Sequence, residues 1–202
     1  MSSTYFVGHV SVDRVENVSG VRVQPGGAAL YAAVAAKTLF GNVRLVSAVG
    51  RDYQFTEVLE PFLHGHIRFL NIPSTSFHIR YDGRWEAHYL KAEYGSGSKL
   101  SFPSVLLETL MPDDAIHISP VHPRKAHRIV EEVKNSSPNT RVSVNTWIGY
   151  VDKNRKILKD LAEKADFFIL NDSEAKALTE TTSLSTALRL LKAKMLIITL
   201  GE

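Results

Sequence analysis

Residues 24–52 read QPGGAALYAAVAAKTLFGNVRLVSAVGRD and place a helix directly before a strand. The Ala-rich stretch from Gly27 to Phe40 favours a helix, and Gly41-Asn42 would end it. The strand that follows, Val43 to Val49, is almost continuously apolar, which is typical of strands buried on both faces of a sheet. This segment therefore predicts a helix packed against a buried, parallel sheet.

The rest of the chain repeats the alternation of apolar strands and amphipathic helices. Helices are predicted at residues 124–135 and 154–165, where apolar positions recur three and four residues apart. Further strands are predicted at Tyr5–Val7, Ile67–Ile72, Ala115–Ser119, Val142–Thr146, Phe167–Asn171 and Met195–Leu200. Strands alternating with helices indicate a three-layer α/β/α domain with a mostly parallel central sheet.

Composition excludes several classes of protein. The 202 residues are 44% hydrophobic and 22% charged, which fits a single domain over residues 1–202. The chain has no cysteine, so disulfides, thiolate metal sites and cysteine nucleophiles are excluded.

Twenty-four basic residues against 21 acidic ones give a net charge of +3 without a basic stripe, so nucleic acid is not an expected partner. No apolar run suits a membrane span, and no signal peptide is recognisable, so we expect a cytoplasmic protein.

Two segments interrupt the alternation, at residues 13–24 and 76–91, and we expect them to form a lid. In the second segment Asp82-Gly83 marks a hairpin. A two-residue loop would pair Tyr81 with Arg84 and mix apolar with charged side chains. We therefore expect a three-residue loop, Tyr81 to Gly83, with Gly83 left-handed. The predicted register pairs Ile79 with Trp85 and Phe77 with Ala87, which gathers an apolar face for covering a ligand or a second copy of the chain.

Polar and glycine residues cluster after the first strand. Asp13 follows that strand closely, at the edge where open α/β sheets bind ligands, and a carboxylate there can accept hydrogen bonds from sugar hydroxyls. Gly26 and Gly27 open the Ala-rich helix, where backbone N–H groups can approach a polar ligand. Asp13 could equally be a turn residue, and the glycines could serve a tight turn and close packing. Neither the G-x-G-x-x-G fingerprint nor a P-loop is present.

These pieces, in this order, resemble the ribokinase-like, or PfkB, family of carbohydrate kinases, and the resemblance spans essentially the whole chain. The matching stretches are Gly8–Asp13, Gly26-Gly27 opening a helix that ends at Gly41, Val46–Asp52, Phe168–Ala175 with the family's N-x-x-E motif, and Ile197–Glu202, which is similar to the strand and turn that begin its nucleotide site.

The resemblance implies ATP-dependent phosphoryl transfer to a hydroxyl of a sugar or nucleoside, with Mg²⁺ and a β-hairpin lid. It implies substrate-binding residues at Asp13, Gly26, Gly27 and Tyr31, to which we add Asn145 as a polar candidate. It implies nucleotide-binding residues at Asn171, Glu174, Thr199 and Gly201, with Glu174 holding the metal through water. A structural alternative is open for the second set: Asn171 or Asp172 caps the helix, and Glu174 merely favours its positive end.

The sequence departs from the family pattern in three places. Tyr31 stands where many members have Asn, and Ser119 to Pro123 stands where ribokinases offer a Glu, so the acceptor is not specified. A polar substitute could come from His122, Asn145 or Arg80, although surface solvation suits each of them. No D-T-x-G-A-G-D segment occurs before Glu202, so no catalytic base is assigned, the carboxyl-terminal part of the fold is expected to be missing, and this chain alone is expected to be inactive.

Three other interpretations are open. A non-catalytic remnant would keep the sugar or nucleoside pocket, or would form one part of an assembled kinase. An oxidoreductase on a Rossmann-type sheet is weakened by the missing glycine fingerprint. An incomplete chain would leave Met195 to Leu200 as a bare sheet edge, through which, or through the lid, it could form a homodimer.

Overall fold

The structure is a computed structural model that describes residues 2–39 and 41–200. The strands within those residues are β1 Thr4–Val7, β2 Ser11–Asn17, β3 Gly20–Gly26, β4 Val43–Gly50, β5 His66–Leu70, β6 Thr75–Tyr81, β7 Ala87–Glu93, β8 Ala115–Ile118, β9 Arg141–Asn145, β10 Phe167–Asn171 and β11 Leu196–Thr199. The α-helices are α1 Ala28–Lys37, α2 Ser104–Thr109, α3 Pro123–Ser136, α4 Ile148–Lys164, α5 Asp172–Thr179 and α6 Leu184–Leu190. Short 3₁₀ helices occupy Thr56–Phe62 and Gly95–Lys99.

The larger sheet has seven strands in the order β11-β10-β9-β8-β1-β4-β5. The pairs β8–β9, β9–β10, β10–β11 and β4–β5 are parallel. The predicted α/β class with a parallel central sheet is therefore confirmed, and each strand predicted for that sheet is present. No helix in the described part of the chain is long and apolar enough to cross a membrane.

The predicted helices are also present, with different ends. Helix α1 ends at Lys37, and the predicted end at Phe40 lies outside the described residues. Helix α4 begins at Ile148, six residues before the predicted start, and contains a non-helical residue at Asn154 (φ −134°, ψ 21°). The Asn154 side chain donates to the Tyr150 carbonyl oxygen at 2.8 Å and competes with the backbone there, which accompanies the kink in the helix.

Contacts divide the chain into two compact units, and the expectation of a single domain over residues 1–202 stays a prediction. The N-terminal unit is Tyr5–Ser101, and the C-terminal unit comprises the residues from Phe102 on, together with those before Tyr5. In the N-terminal unit, Ala29, Leu30 and Ala33 of α1 share a buried cluster with Val10 and Val49. In the C-terminal unit, the buried core side chains include Val144, Phe168, Leu158 and Ile129. Burying one large apolar side chain of this kind stabilises the fold by about 1.5–3 kcal/mol.

The two polar segments form a second sheet within the N-terminal unit. Its four strands have the order β3-β2-β6-β7. Strands β2 and β3 are antiparallel, β2 and β6 are parallel, and β6 and β7 are antiparallel. The expectation that the ribbon lies outside the parallel sheet is confirmed, whereas its role as a lid stays a prediction.

The predicted register of the second hairpin is wrong. Tyr81 lies opposite Ala87, and Ile79 lies opposite Tyr89. The register then shifts between His78 and Ile79, and Phe77 lies opposite Ala92. The connection therefore spans Asp82 to Glu86, which is longer than both the three-residue loop we expected and the two-residue loop we rejected.

The side chain of Asp82 explains the longer loop. Its Oδ1 accepts hydrogen bonds from the backbone N–H groups of Arg84 at 2.8 Å and Glu86 at 3.1 Å, and the Trp85 N–H donates to the Asp82 carbonyl oxygen at 3.0 Å. The left-handed residue is Trp85, with φ 62°, and not Gly83. An aspartate that satisfies two amides across a loop acts as a local substitute for backbone pairing. The glycine of the Asp-Gly pair was expected to determine the loop, and the structure shows that the aspartate determines it.

Replacing Asp82 by Ala should release the loop amides. We expect faster hydrogen exchange at the amides of Arg84 and Glu86, because both lose their acceptor, with little change at Ile79 in the strand. Exchange measured residue by residue by NMR checks this. Asp82→Asn keeps the Oδ1 acceptor and serves as the control. Equal exchange at both amides in Asp82→Ala and the native chain would show that Oδ1 does not hold the loop.

Candidate functional site

The structure buries Asp13 within the second sheet of the N-terminal unit. Asp13 lies on β2 opposite Gln24 of β3 on one side and Phe77 of β6 on the other, and is only 7% exposed. The Ser11 hydroxyl donates to its Oδ1 at 2.7 Å. Burial raises the pKa of Asp13, and the Ser11 hydrogen bond offsets part of that rise. A carboxylate accepts about four hydrogen bonds, so Asp13 retains the capacity to bind ligand hydroxyls.

The two glycines allow the start of α1 to lie against this carboxylate. A Cβ on Gly26 would lie 2.0 Å from Oδ2 of Asp13. Gly27 is the N-cap of α1 with φ 102°, and a Cβ there would lie 2.2 Å from the carbonyl oxygen of His9. The close-packing role left open by the sequence is therefore present at both glycines. That packing also brings a helix start next to the buried carboxylate.

Tyr31 lies one turn into α1, and its hydroxyl is hydrogen-bonded within the chain. Its hydroxyl donates to the Pro25 carbonyl oxygen at 2.8 Å and accepts from the Gln24 amide at 3.3 Å. The ring is half exposed. Burial, with a smaller contribution from the charge of Asp13, raises the pKa of Tyr31. Because its proton is used on Pro25, Tyr31 can offer a ligand an accepting oxygen more readily than a donor.

Aromatic rings adjoin Asp13, and sequence reasoning did not connect them with it. Phe77, directly opposite Asp13, makes edge-to-face contacts with Tyr89 and Tyr94, each with ring centres 6.0 Å apart. The rings of Tyr94 and His9 lie 5.6 Å apart. The alternating pattern of residues 76–91 indicated an aromatic face, but only the register between β2 and β6 shows that this face includes Asp13.

Tyr53 is a further residue that sequence reasoning missed. It follows the carboxyl end of β4 and is 3% exposed, and its hydroxyl has no hydrogen-bond partner in the part of the chain that the structure describes. Burial raises the pKa of Tyr53 well above its ordinary value, and the charges of Glu57 and Asp13 add to the rise. The only signal in the sequence was that Tyr53 comes directly after Gly50 to Asp52, which follow a predicted strand.

In the C-terminal unit, Asn171 and Glu174 form a capping box at the start of α5. The Glu174 N–H donates to Oδ1 of Asn171 at 2.7 Å, and the Asn171 N–H donates to Oε2 of Glu174 at 2.9 Å. Asn171 is thus the N-cap, as one alternative proposed. Asp172 is not the cap, and its carboxylate pairs with Lys176 at 2.7 Å.

The surroundings of Glu174 limit how it could hold a metal. The side chain is 5% exposed, burial raises the pKa of Glu174, and hydrogen bonds from the backbone N–H groups of Asn171 and Ile148 lower it in part. A carboxylate already committed to two amides is poorly suited to direct Mg²⁺ coordination. A carboxylate can accept about four hydrogen bonds, so part of its capacity stays free, and a contact through a metal-bound water fits this donor set.

The remaining predicted residues that the structure describes, Thr199 and Asn145, lie on strands of the same unit. Thr199 on β11 lies opposite Asn171 on β10, so these two share a register position, whereas Gly201 lies outside the described residues. Asn145 on β9 lies opposite Ile169, and it belongs to the C-terminal unit, unlike the other four predicted substrate-binding residues.

The two other polar substitutes have contacts of their own. His122 is the N-cap of α3, where its Nδ1 accepts from the Arg124 N–H at 3.3 Å. Arg80 is exposed and pairs with Glu16 at 3.1 Å. These contacts account for both side chains without a ligand.

Comparisons with known proteins add information on the fold. No protein-family model matches the sequence, and no curated protein matches it. Among solved structures, Halothermothrix orenii fructokinase is similar with a TM-score of 0.80 and 18% identity, covering 99% of this chain and 80% of that one. The chain has the ribokinase-like fold. Sinorhizobium meliloti adenosine kinase aligns with a TM-score of 0.81 and 16% identity, covering 100% of this chain and 75% of that one.

A third ribokinase-like structure, Burkholderia thailandensis nucleoside kinase in complex with inosine, has a TM-score of 0.79 and 19% identity and covers 99% of this chain and 69% of that one. The chain is shorter than each of the three. Sugar and nucleoside kinases are therefore its structural neighbours, and the predicted ribokinase-like, or PfkB, fold is confirmed.

The buried charge of Asp13 should reduce stability at neutral pH. Because the folded-state pKa is raised, the folded chain binds the proton more tightly than the unfolded chain, and stability falls as pH rises through the interval between the two pKa values. We expect Asp13→Asn to melt higher than the native chain at pH 7, with a difference that shrinks towards pH 4. Thermal melts across that range check this, and a lower melting temperature of the variant at pH 7 would contradict it.

Glu174 allows its capping role to be separated from its charge. We expect Glu174→Ala to lower the free energy of unfolding by about 1 kcal/mol, because the Asn171 N–H loses its acceptor. Glu174→Gln keeps an accepting oxygen and should lose clearly less. Chemical denaturation measures both variants. Equal losses would show that the charge, and not the cap, stabilises this end of α5.

Proposed function

We propose that the chain binds a sugar or nucleoside as a phosphoryl acceptor and belongs functionally with the ATP-dependent kinases that share its fold. The observation that carries the proposal is the buried Asp13, packed against the Gly26 backbone at the start of α1 and adjoining the aromatic rings of Phe77, Tyr89 and Tyr94. Similarity to fructokinase, adenosine kinase and nucleoside kinase structures supports this reaction class.

The acceptor site has two complementary parts. The Asp13 carboxylate accepts hydrogen bonds from hydroxyl groups, and such bonds to a charged acceptor are strong in a buried setting. Aromatic rings next to it offer apolar faces to the carbon skeleton of a sugar or to a nucleobase. Gly26 and Gly27 let the start of α1 pack against the carboxylate, and Tyr31 contributes an accepting oxygen.

We assign the nucleotide side of the reaction to Asn171, Glu174, Thr199 and Gly201. Glu174 would hold Mg²⁺ through water, in keeping with its two backbone hydrogen bonds. When bound, the metal neutralises charge on the phosphates of ATP. Asn171 positions the Glu174 side chain through the capping box, and Thr199 on the neighbouring strand supplies a hydroxyl. We expect the protein to act in the cytoplasm without nucleic acid, and to form a homodimer through the lid or a sheet edge.

A second candidate function is acceptor binding without turnover. The 202 residues contain no D-T-x-G-A-G-D segment, so no side chain of this sequence is assigned as the base that takes the acceptor proton. We therefore propose that the chain by itself binds the acceptor and does not phosphorylate it. It would then act as a sensor or as one part of an assembled kinase.

Calorimetry with D-ribose, D-fructose, adenosine and inosine tests acceptor binding. We expect at least one of them to bind, and Asp13→Ala to weaken that binding by about 10–100-fold, because a hydrogen bond to a charged group is lost. ATP binding should be unchanged in the same variant. An unchanged acceptor affinity would remove Asp13 from the site, and binding of none of the four would refute the proposed function.

Two glycine variants provide a matched comparison in the same assay. Gly26→Ala introduces a Cβ into the Asp13 carboxylate and should lower acceptor affinity, whereas Gly83→Ala meets nothing within 4 Å and should not. Circular dichroism verifies that both remain folded. Release of ADP in the presence of the bound acceptor, ATP and Mg²⁺ would favour turnover by this chain, and its absence would favour binding alone.

A further inference from the structure

Tyr53 buries a hydroxyl group just after the carboxyl end of β4. Its ring packs edge to face against Phe55 with centres 6.0 Å apart, and its own N–H donates to the Gly50 carbonyl oxygen at 3.2 Å. Within the described residues the hydroxyl has no partner, although the side chain is 97% buried. Buried polar groups are nearly always hydrogen-bonded, so such an exception indicates a partner from outside the chain.

The topology brings Tyr53 to the acceptor site. Strands β1 and β4 are neighbours in the sheet, and the Gly8 N–H after β1 donates to the Val46 carbonyl oxygen of β4 at 3.2 Å. The segment after β1 leads to Asp13, and the segment after β4 leads to Tyr53. Tyr53 also belongs to the buried cluster that contains Val10 and Leu30. Leu30 lies on α1, and the start of that helix packs against Asp13.

The electrostatic neighbours of Tyr53 are those of the same site. Burial is the main cause of the raised pKa of Tyr53, and the charges of Glu57, Asp13 and Tyr31 add to it in that order. Burial likewise raises the pKa of Tyr89, with a smaller contribution from Asp13. The charge of Asp13 thus acts on three phenols from three different segments, Tyr31, Tyr53 and Tyr89. Tyr31 has already committed its proton to Pro25, whereas Tyr53 has committed its proton to none of the described residues.

We propose that Tyr53 is a further acceptor-binding residue. Its hydroxyl donates a hydrogen bond to the same acceptor hydroxyl that donates a hydrogen bond to Asp13. This inference rests on the proposed function and names a residue that determines its specificity. A hydroxyl has one donor and two acceptor sites, so a single hydroxyl of the ligand can satisfy Asp13 and Tyr53 together. An acceptor that lacks this hydroxyl leaves both side chains unsatisfied and is rejected.

Tyr53→Phe removes the hydroxyl and leaves the ring in place. With whichever of D-ribose, D-fructose, adenosine and inosine the native chain binds best, we expect about tenfold weaker binding by calorimetry. The melting temperature of the ligand-free variant should be equal to or higher than that of the native chain, because no hydrogen bond is lost. The matched control is Tyr5→Phe, which removes the same atom from a buried tyrosine at the start of β1, 2% exposed, and should bind like the native chain.

Deoxy analogues of the same probe, each lacking one hydroxyl, identify the partner of Tyr53. The analogue that lacks the shared hydroxyl should bind the native chain and Tyr53→Phe equally, whereas the other analogues should keep the tenfold difference. A general loss of packing in Tyr53→Phe would weaken the binding of every analogue to the same extent, so it would not produce this pattern.

The possible outcomes separate the two proposals. If the native chain binds a probe and Tyr53→Phe binds it equally well, the inference about Tyr53 is wrong and the proposed function stands. If ligand-free Tyr53→Phe melts below the native chain, the hydroxyl has a partner within the protein, and the inference is again wrong. If the native chain binds none of the four probes, the proposed function itself fails, and the inference fails with it.

Discussion

The Asp13 carboxylate lies so close to the backbone at Gly26 that one added carbon would be 2.0 Å from its oxygen. This contact sets the geometry of the N-terminal unit around the candidate site. It fixes β2 against the end of β3, it fixes the point at which α1 begins, and it keeps a charge in a buried position. A chain that only needed a stable hairpin would place an apolar side chain there, since burying a carboxylate opposes folding. The energetic cost is a reason to regard Asp13 as functional.

The second sheet then determines which side chains surround that charge. The parallel register between β2 and β6 places Phe77 opposite Asp13, and the antiparallel register between β6 and β7 brings Tyr89 into contact with Phe77. A shift of one residue would turn the aromatic side chains to the other face. The five-residue loop held by Asp82 and the register shift between His78 and Ile79 together set which residue of β7 faces Phe77, so both affect the site.

Sequence alone predicted the layers of the fold and part of the site. The apolar runs and the helix signals predicted the parallel sheet, because buried strands and amphipathic helices have distinct periods. Asp13, Gly26 and Gly27 were found because polar and glycine residues at a strand end are unusual. Tyr53 and Tyr94 were not found, since their relation to Asp13 depends on pairing between segments distant in sequence. The hairpin register failed for a related reason: a side-chain hydrogen bond decided the loop, and composition does not show such bonds.

Glu174 shows how one motif can satisfy two requirements. A capping box needs an accepting oxygen three residues after the cap, and a hydrated metal needs an anionic oxygen near a helix start. In this chain the N-x-x-E spacing supplies the capping box through Glu174, and the water-mediated metal contact that we propose would use the same side chain. The cap does not compete with a water-mediated contact, because a carboxylate can accept about four hydrogen bonds and two amides leave part of that capacity free. A fixed carboxylate is in fact the better metal partner, since its orientation is set before the phosphates arrive.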